Sequence, residues 1–423
     1  MCGALFVRVA FAISVRSNQF TGDALWFRQV ATNLTNGKGF AIGPPVFLPT
    51  AGHPPVFPLL LAFFDQLGIR SAESQRIVLA GVSAMGILVL GLLGRRVAGA
   101  AVGLAAAGIG AIDPLSFQWG GTLMSESVYL IAIPAALWLA LRCTEGATVW
   151  NFGGLGITIA VLALIRSEAV DFIVLLGVPV VLLGVSAWRL RVLFGLAILA
   201  GFALVMGPWL LRNEIQLGSA VLSDNGGRTL AGSYCPSTFN PHNAMYGGFS
   251  LACAYGEAGM VLKYMKPPGK NTQWSPLTLN NALTTIAERY ARSHLRAMPR
   301  VVLARELSAW GFGNQAYQLR LAMDEGRVRG YEQLGQILDW ILLPFVIVGA
   351  VFSLRRSWRH LAIIAVPLVV VALNAAIFYG STRLRAAAEP SLAVLAAVGL
   401  VAVIHLASAR PRSSVGHSPQ AST

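Results

Sequence analysis

The sequence predicts an all-α fold: a polytopic transmembrane helical bundle of about ten spans, with outer juxtamembrane helices and a large extracytoplasmic loop. Of its 423 residues, 55% are hydrophobic and only 12% are charged, whereas soluble domains are roughly 45–50% apolar. The mean hydropathy is +0.64, and apolar runs close to the ~20 residues that cross a bilayer as helix recur along the chain. The formal charge of +14 would also suit a nucleic-acid-binding protein, but this hydrophobicity excludes a single soluble fold and favours a membrane protein without a nucleic-acid partner.

Ten apolar segments are predicted to span the membrane. They lie near residues 1–15, 77–94, 98–113, 124–142, 152–166, 170–187, 193–212, 337–354, 361–379 and 388–408. The first is short for a span and carries Arg8 in its middle. We expect either that it packs inside the bundle or that the chain begins upstream of Met1, and we favour the second. No small-residue cleavage site stands out before Asp23, so a cleaved signal peptide is not predicted.

Arginines in the short connections orient the bundle, because basic residues collect in cytoplasmic loops. If the amino terminus is inside, one side of the membrane receives Arg95 and Arg96, Arg142, Arg189 and Arg191, Arg355, Arg356 and Arg359, and Arg410 and Arg412. That side is then the cytoplasm, and both termini of this plasma-membrane protein lie there. The opposite, extracytoplasmic side holds residues 16–76 and 213–336.

This topology divides the chain into four parts. Residues 1–212 form a transmembrane module that includes the first outer loop, 16–76, and residues 213–336 form the extracytoplasmic loop. Residues 337–408 are the C-terminal transmembrane helices, and the Ser-, Pro- and Arg-rich tail 409–423 is predicted to be disordered. Within the loop, residues 280–310 predict amphipathic helices resting on anionic headgroups, with ordinary packing against the bundle as the alternative.

The cysteines agree with this topology. Cys235 and Cys253 both lie in the extracytoplasmic loop, whereas Cys143 lies in a predicted cytoplasmic connection. We predict a Cys235–Cys253 disulfide, which would contribute about 3 kcal/mol in the chain-entropy model. Two unpaired buried thiols are the alternative, because four cysteines are too few to define a framework.

Ionisable residues near the outer ends of the spans are the candidate functional groups, because charge is costly at membrane depth. In the first outer loop, Asp23 precedes a predicted surface helix from Ala24 to Leu34, and a Pro-rich stretch precedes a second one from Leu59 to Phe64. Asp23 is therefore either a functional carboxylate or a plain N-cap of the first helix.

Further polar residues mark the outer ends of later spans. They are Asp113, Glu126, Arg166 with Glu168, Arg212, Arg383 and Arg385. For several of them a structural role is the alternative: Arg166 and Glu168 would neutralise one another, and Arg212 would snorkel to headgroups. Two arginines on the short outer turn at 383–385 depart from the positive-inside rule, and a lipid phosphate is the anion that explains them.

Together, one outer carboxylate and several outer arginines suit chemistry on a lipid-linked phosphate. The arginines would stabilise a phosphate leaving group, and the carboxylate would accept a proton from an incoming hydroxyl.

Motifs in this order resemble the GT-C glycosyltransferases, integral membrane enzymes that use polyprenyl- or dolichyl-phosphate sugars. Gly-Asp-Ala, Asn-Leu-Thr-Asn-Gly-Lys-Gly-Phe and Ala-Gly-His-Pro-Pro-Val-Phe-Pro-Leu-Leu-Leu are similar to the first periplasmic loop of bacterial members related to protein O-mannosyltransferases and lipid A aminoarabinose transferases. Leu-Met-Ser-Glu-Ser, Ile-Arg-Ser-Glu-Ala, Pro-Trp-Leu-Leu-Arg-Asn with Ser-Asp-Asn-Gly-Gly, and Thr-Arg-Leu-Arg before Glu-Pro follow. Each motif is weak alone, and their shared order over most of the chain carries the resemblance.

The resemblance implies that Asp23 is the catalytic carboxylate of the first loop, the general base toward the acceptor hydroxyl. Relatives often have two adjacent acids there, but Gly22 and Ala24 flank Asp23. A lone carboxylate is a poor divalent-cation site, so no cofactor is certain and a divalent cation stays an open alternative. His53 stands where some relatives place a Lys near the carrier phosphate, and a histidine can donate the same hydrogen bond.

The resemblance also implies two further groups of residues. The other donor-phosphate partners are Arg212, Arg383 and Arg385, and the residues supporting the site are Asp113, Glu126, Arg166 and Glu168. A bare packing role is the alternative for Glu126.

The implied reaction moves one sugar from polyprenyl phosphate to a hydroxyl of an envelope glycan, lipid or protein, with inversion, on the extracytoplasmic face among membrane lipids. No P-loop and no GxGxxG after a strand is present, so a nucleotide-sugar donor is not predicted. Two other classes stay open. A carrier or flippase for a lipid-linked or small anionic solute would keep its transport without Asp23, and an inactive scaffold would tolerate replacement of both Asp23 and Arg385.

Overall fold

A computed structural model describes residues 2–16, 18, 21–255 and 276–408. Within these ranges the chain folds into a helical bundle with one two-stranded antiparallel sheet. The predicted fold class, an all-α polytopic transmembrane bundle, is confirmed. The tail 409–423, which was predicted to be disordered, lies outside the described residues.

Helices account for most of the described residues. The first part of the chain contains α1 (Cys2–Ser14), α2 (Gly22–Thr35), α3 (Val56–Gln66), α4 (Ala72–Ala98), α5 (Ala100–Ile112), α6 (Pro114–Gln118), α7 (Glu126–Glu145), α8 (Val149–Ile165), α9 (Phe172–Leu175), α10 (Gly177–Gly184) and α11 (Trp188–Leu217). The remainder contains α12 (Gly226–Ser233), α13 (Pro236–Phe239), a helical stretch at 251–255, α14 (Pro276–Ser293), α15 (Met298–Ala309), α16 (Gln315–Asp324), α17 (Arg329–Ile364), α18 (Val366–Ile377) and α19 (Glu389–Ser408). Short 3₁₀ segments lie at Trp119–Gly121, Ser167–Asp171 and Leu384–Ala387, and β1 (Ala41–Ile42) pairs with β2 (Leu48–Pro49).

Every predicted span falls on helix, but the helices differ in length. In the described part of the chain, six helical runs are long and apolar enough to cross a membrane, or seven if α5 and the helical turn after it count as one bent span. The predicted spans 1–15, 152–166 and 361–379 correspond to shorter apolar helices. The prediction of about ten spans therefore holds only if these shorter helices cross as well.

The break between two C-terminal spans lies inside α17. Ser357 has φ −158° and ψ 84°, which are not helical angles, so α17 consists of two helices joined at a kink. Arg355, Arg356 and Arg359 surround this break, where the sequence predicts a cytoplasmic connection. The kink thus ends one span and begins the next.

Glycines allow the spans to approach closely, as two of their contacts illustrate. A Cβ on Gly156 would lie 2.0 Å from the carbonyl oxygen of Ile198, and a Cβ on Gly349 would lie 1.9 Å from that of Leu395. Small residues of this kind let helix backbones touch inside a membrane, where packing rather than the hydrophobic effect drives association. The contacts fix α8 against α11 and α17 against α19.

The first outer loop forms a layer on the outer ends of the spans. Phe27 of α2 and Phe57 of α3 are buried against each other, with ring centroids 5.0 Å apart. The same apolar cluster includes Trp119 and Ala386. This cluster ties the first loop to the turn that precedes α19.

The segment 213–336, which the sequence predicts to be extracytoplasmic, is anchored by a disulfide and by a buried arginine. The predicted Cys235–Cys253 disulfide is present, so the alternative of unpaired thiols is wrong. Arg305 is fully buried and donates to the carbonyl oxygens of Ala376 at 2.8 Å and Ser233 at 2.8 Å. It therefore holds the loop on the end of α18 instead of facing lipid headgroups.

The apolar faces of α14 and α15 pack on the loop itself. Ala287 and Val301 are buried in a cluster with Tyr234 and Phe239. Ordinary packing thus accounts for these faces, as the alternative predicted. Exposed basic residues on these helices and the turn between them are Arg289, Arg292, Arg296 and Arg300, and their contact with anionic headgroups stays a prediction.

Candidate active site

Arg383 lies on the outer turn between α18 and α19, at the centre of an ion-pair network. Its Nη1 donates to Asp23 Oδ2 at 2.7 Å and to Glu325 Oε1 at 3.3 Å, and its Nε donates to Glu126 Oε1. Among the described residues, Nη2 makes no hydrogen bond. Carboxylates from α2, from α7 and from the end of α16 therefore converge on one guanidinium that keeps a donor free.

Asp23 lies in the first turn of α2 and points into this network. The N-cap of α2 is Thr21, which makes no capping hydrogen bond with its side chain. The carboxylate of Asp23 instead contacts Arg383 and, through Oδ1, His53 Nε2 at 3.3 Å. The N-cap alternative for Asp23 is therefore wrong. The side chain stays 29% exposed, so a ligand can reach it.

The surroundings of Asp23 keep its carboxyl ionised. Burial by itself raises the pKa of Asp23, but the charges of His53 and Arg383, with hydrogen bonds from both, hold that pKa well below its usual range. An ionised carboxylate beside a guanidinium and an imidazole is an acceptor for protons or for hydroxyl hydrogen bonds. Asp23 therefore combines accessibility with negative charge.

His53 is oriented by aromatic rings of α2. Its ring centroid lies 4.8 Å from that of Trp26 and 5.0 Å from that of Phe27. A Cβ on the preceding Gly52 would lie 3.1 Å from the Trp26 side chain, so glycine lets the loop approach the indole without displacing it. Helix α2 thus supplies both Asp23 and the surface that positions its histidine partner.

The loop before His53 is held by the segment that follows α11. Ala51 N donates to Asp224 Oδ2 at 3.1 Å, and Asp224 N donates to Ala51 O at 3.0 Å. Ser223 Oγ donates to Gly52 O at 3.0 Å. These three bonds fix the backbone that carries His53.

Arg212 strengthens the same clamp. Its Nη1 donates to Thr50 O and Asn213 Oδ1, both at 2.8 Å, and its Nη2 donates to Phe40 O at 2.7 Å. The guanidinium also lies over the rings of Phe40 and Trp209. The snorkelling alternative is therefore wrong, and the structure places Arg212 as a tie between α11 and the first outer loop, with no contact to Arg383.

Glu126 and Arg166 form the buried side of the network. The side chain of Glu126 is 0% exposed and accepts from both Arg383 and Arg166. Arg166 also pairs with Glu168. The alternative of mutual neutralisation therefore describes one of the two ion pairs that Arg166 makes, and the other is with Glu126. These residues join the start of α7 to the end of α8 beneath Asp23.

Three site residues at the junction of α16 and α17 were missed by the sequence analysis: Glu325 and Arg327 lie on the turn, and Glu332 lies in the first turn of α17. Glu325 contacts Arg383, and Arg327 pairs with Glu325 and with Glu332, each at 2.8 Å. Burial raises the pKa of Glu325, although Arg383 and Arg327 partly offset this. The adjacent acids Asp324 and Glu325, in a chain with only 18 acidic residues, were the available signal.

Arg385 and Asp113 lie in a different cluster. Arg385 is 2% exposed, and it donates to Glu389 Oε1 at 2.8 Å and to Asp339. Asp113 caps α6 by accepting from Leu115 N and Ser116 N, both at 3.1 Å. The structure therefore does not bring Arg385 or Asp113 into contact with Asp23, contrary to the grouping that the sequence predicted.

The carboxylates of the Asp23 network are arranged around arginine side chains. Among the residues that the structure describes, no group of three or more His, Cys, Asp or Glu side chains is arranged to hold a metal ion. The position where Asp23, Glu126 and Glu325 converge is taken by the guanidinium of Arg383.

Part of the chain is similar to a known protein family. Residues 52–211 match a family model described as dolichyl-phosphate-mannose-protein mannosyltransferase. No curated protein sequence matches the chain.

Solved structures match nearly the whole chain. They include the oligosaccharyltransferase AglB from Archaeoglobus fulgidus in complex with an inhibitory peptide and a dolichol-phosphate (15% identity, TM-score 0.51, 96% of this chain and 51% of that one). The same organism's oligosaccharyltransferase in complex with Zn and sulfate also matches (14%, 0.50, 96% and 49%), as does ArnT from Cupriavidus metallidurans bound to undecaprenyl phosphate (12%, 0.41, 93% and 77%).

The chain spans about half the length of the oligosaccharyltransferases that it matches. Those two matches establish a shared helical fold. The predicted resemblance is thereby confirmed by a family match over residues 52–211 and by fold over nearly the whole chain: this multi-pass membrane protein has the architecture of the GT-C glycosyltransferases.

Proposed function

We propose that the protein is a membrane glycosyltransferase that moves a sugar from a polyprenyl-phosphate donor to a hydroxyl of a cell-envelope acceptor, with inversion. The observation that carries this proposal is the contact of Asp23 with both His53 and Arg383 on the accessible side of a buried ion-pair network. A carboxylate beside fixed cationic groups is the arrangement needed to take a proton from a nucleophile and stabilise an anionic leaving group.

Arg383 is the proposed phosphate-binding group. Its free Nη2 can donate to a phosphate oxygen, and its 3.3 Å bond to Glu325 is the longest of its carboxylate contacts. A phosphate that replaces a carboxylate on Nη1 keeps the guanidinium paired, because arginine binds phosphate through parallel hydrogen bonds. Donor binding thus exchanges one anion for another and does not expose a buried charge.

This exchange also prepares Asp23 for its role. In the structure the charges of His53 and Arg383 hold the pKa of Asp23 well below its usual range, which weakens the carboxylate as a base. When the phosphate shares the charge of Arg383, the pKa of Asp23 rises toward the range in which a carboxylate accepts protons. The hydroxyl oxygen of the acceptor then attacks the anomeric carbon and the phosphate departs from it. Asp23 takes the proton of that hydroxyl in the same step.

The supporting residues hold the loops and helices that carry these groups. We propose that Arg166, Glu126 and Glu168 keep Arg383 in place from below, and that His53 stands on the phosphate side of Asp23. Arg212 acts through its bonds to Thr50 and Phe40, which fix the loop before His53. Arg385 and Asp113 support the helix ends in their separate cluster. The site would face the extracytoplasmic side of the plasma membrane, with both termini in the cytoplasm.

The test is sugar transfer from radiolabelled polyprenyl-phosphate donors by membranes that contain matched amounts of the wild type or of Asp23→Asn. This almost isosteric change removes the carboxylate charge. We expect loss of at least about a hundredfold, as for removal of a positioned general base. Asp171→Asn is the matched control. Asp171 also lies at the outer end of a span, but it accepts a hydrogen bond from Asn374 and is not part of the Arg383 network.

Two results would contradict the proposal. Equal transfer by the wild type and Asp23→Asn would mean that the base lies elsewhere. Absence of transfer by the wild type from any donor, together with transport of a lipid-linked anion that survives Asp23→Asn, would favour a carrier.

A further inference from the structure

A cavity of about 300 Å³ lies within the bundle, between the outer halves of α4, α5, α17 and α19. Trp310 and Phe312, which follow α15, line its outer end, and Leu90 and Val346 line its deeper end. None of Asp23, His53, Glu126, Arg166 and Glu325 lines it. The volume is at the lower end of the range for ligand pockets, and the cavity is separate from the proposed active site.

One side of the cavity's outer end has two carboxylates and one guanidinium. Arg385 is bonded to both Glu389 and Asp339, so two carboxylates share one guanidinium. This side therefore has room for one more positive charge.

The other side carries an arginine that makes no ion pair with a described residue. Arg8 is 1% exposed and lines the cavity. Its Nη2 donates to Gly110 O at 3.0 Å and its Nη1 to Ala111 O at 3.3 Å, while its Nε has no hydrogen-bond partner. Asp113, which also lines the cavity, is the carboxylate whose charge acts on Arg8, but among the described residues no carboxylate lies within ion-pair distance of the guanidinium. A buried cation of this kind at membrane depth is costly, so it is a site for an anion.

The mouth of the cavity opens to the surface that faces lipid. Trp340 and Leu343, which line it, are 44% and 38% exposed on the outside of α17. Aromatic residues such as Trp310, Phe312 and Trp340 are typical of the level at which headgroups meet hydrocarbon. An occupant thus has a charged head at the outer end and apolar chains beside α17.

We propose that this cavity binds a phospholipid with an ammonium-bearing headgroup, of the phosphatidylethanolamine class. The phosphate pairs with Arg8, and the ammonium donates to Asp339 and Glu389. Because one headgroup carries a phosphate for Arg8 and an ammonium for the carboxylates, the zwitterion fits better than an anionic lipid, which Asp113, Asp339 and Glu389 repel. A primary ammonium also donates hydrogen bonds, which the quaternary group of phosphatidylcholine lacks. The inference does not depend on the proposed transferase activity.

The test is native mass spectrometry of the purified full-length protein after equilibration with an equimolar mixture of dioleoyl phosphatidylethanolamine, phosphatidylcholine and phosphatidylglycerol. We expect the wild type to retain one ethanolamine lipid at least about tenfold over the other two, equivalent to 1.4 kcal/mol. Asp339→Asn should reduce the preference for phosphatidylethanolamine over phosphatidylcholine. Arg8→Gln should weaken retention of both of these lipids, because both carry the phosphate. Asp171→Asn, outside the cavity, should retain the wild-type preference.

A steric variant keeps the test decisive if a charge variant fails to fold. Leu343→Trp fills the mouth of the cavity while all charges stay in place, and Leu354→Trp is its control at an exposed position of α17 that does not line the cavity. We expect only Leu343→Trp to lose the ethanolamine lipid. Equal retention of the three lipids by the wild type, a preference for phosphatidylglycerol, or full retention by Leu343→Trp would each overturn the proposal.

Discussion

Arg383 and Arg385 are two residues apart on one outer turn, yet they belong to two separate clusters. Arg383 contacts Asp23, Glu126 and Glu325, whereas Arg385 contacts Glu389 and Asp339. The turn is 3₁₀ from Leu384, and at three residues per turn two side chains two positions apart point about 120° away from each other. One short segment therefore sends one arginine to the accessible site and the next into the bundle.

The two clusters also differ in access. In the Arg383 cluster the side chains of Asp23 and His53 are 29% and 23% exposed, while in the Arg385 cluster the side chains of Arg385 and Glu389 are 2% and 8% exposed. A group that exchanges partners with a ligand phosphate needs an accessible side. A group that joins helix ends does not, so we expect the same residue type to serve chemistry in one cluster and stability in the other.

Replacing each arginine by glutamine separates these roles and has the largest expected effect. Arg383→Gln should lower kcat/KM for transfer by about 10²–10³-fold, as for loss of a positioned charge-stabilising donor. Arg385→Gln leaves Asp339 and Glu389 buried without their shared cation. It should cost about 3–5 kcal/mol of unfolding free energy, as for breaking a buried pair from one side, and change transfer per folded molecule by less than about threefold. Transfer assays and thermal unfolding in detergent measure the two quantities.

One result would contradict the division of the two arginines into separate roles. If Arg385→Gln loses transfer as severely as Arg383→Gln at equal folded amounts, then both arginines act on the donor, and the sequence-based grouping of the two is correct.

The fold was predictable from the sequence because hydropathy and loop arginines are strong signals. The apolar spans and the break near Ser357 follow from local composition. The Cys235–Cys253 pair follows from the prediction that both cysteines lie on the same side of the membrane. Span lengths were less predictable. Helix α8 ends before Arg166, whose bonds to Glu126 and Glu168 set the position of that end.

The site was predictable only in part, because its contacts join distant segments. Asp23 and Arg383 are 360 positions apart, and only the motif resemblance brought them together before the structure did. Glu325 was missed because a carboxylate on a loop between two helices has no periodicity to reveal its partner. The grouping of Arg385 with Arg383 failed because adjacency along a chain does not give the direction of a side chain.

Glu325→Gln sharpens the comparison by removing one carboxylate from Arg383. The variant makes Arg383 more available to a phosphate, so the KM for the donor should fall by about two- to fivefold, the equivalent of a partly exposed ion pair. The kcat should change less than the KM. Asp324→Asn, at the exposed neighbouring position, is the control. A rise in KM in Glu325→Gln would instead show that Glu325 holds Arg383 in its phosphate-binding position.

His53→Gln has the smallest expected effect and tests the electrostatics of Asp23 directly. Burial raises the pKa of Asp23, and the charges of His53 and Arg383 lower it, with the net result well below the usual range. Glutamine retains a hydrogen-bond donor but has no charge, so the pKa of Asp23 should rise in the variant. Since a general base works only when deprotonated, the acid limb of kcat/KM against pH should move to higher pH.

The sign of the stability effect separates this shift from unfolding. Because the pKa of Asp23 is lowered in the folded protein, its contribution to stability is present above the unfolded value of about 3.9 and is lost only as pH falls through the lower, folded value. The wild type should therefore show no loss of stability from Asp23 between about pH 5 and 8. An acid limb of His53→Gln that moves up while its thermal unfolding stays level in that window identifies Asp23 as the titrating base. A limb that stays in place would mean that His53 does not set the charge of Asp23, and that Arg383 alone distinguishes the accessible cluster from the buried one.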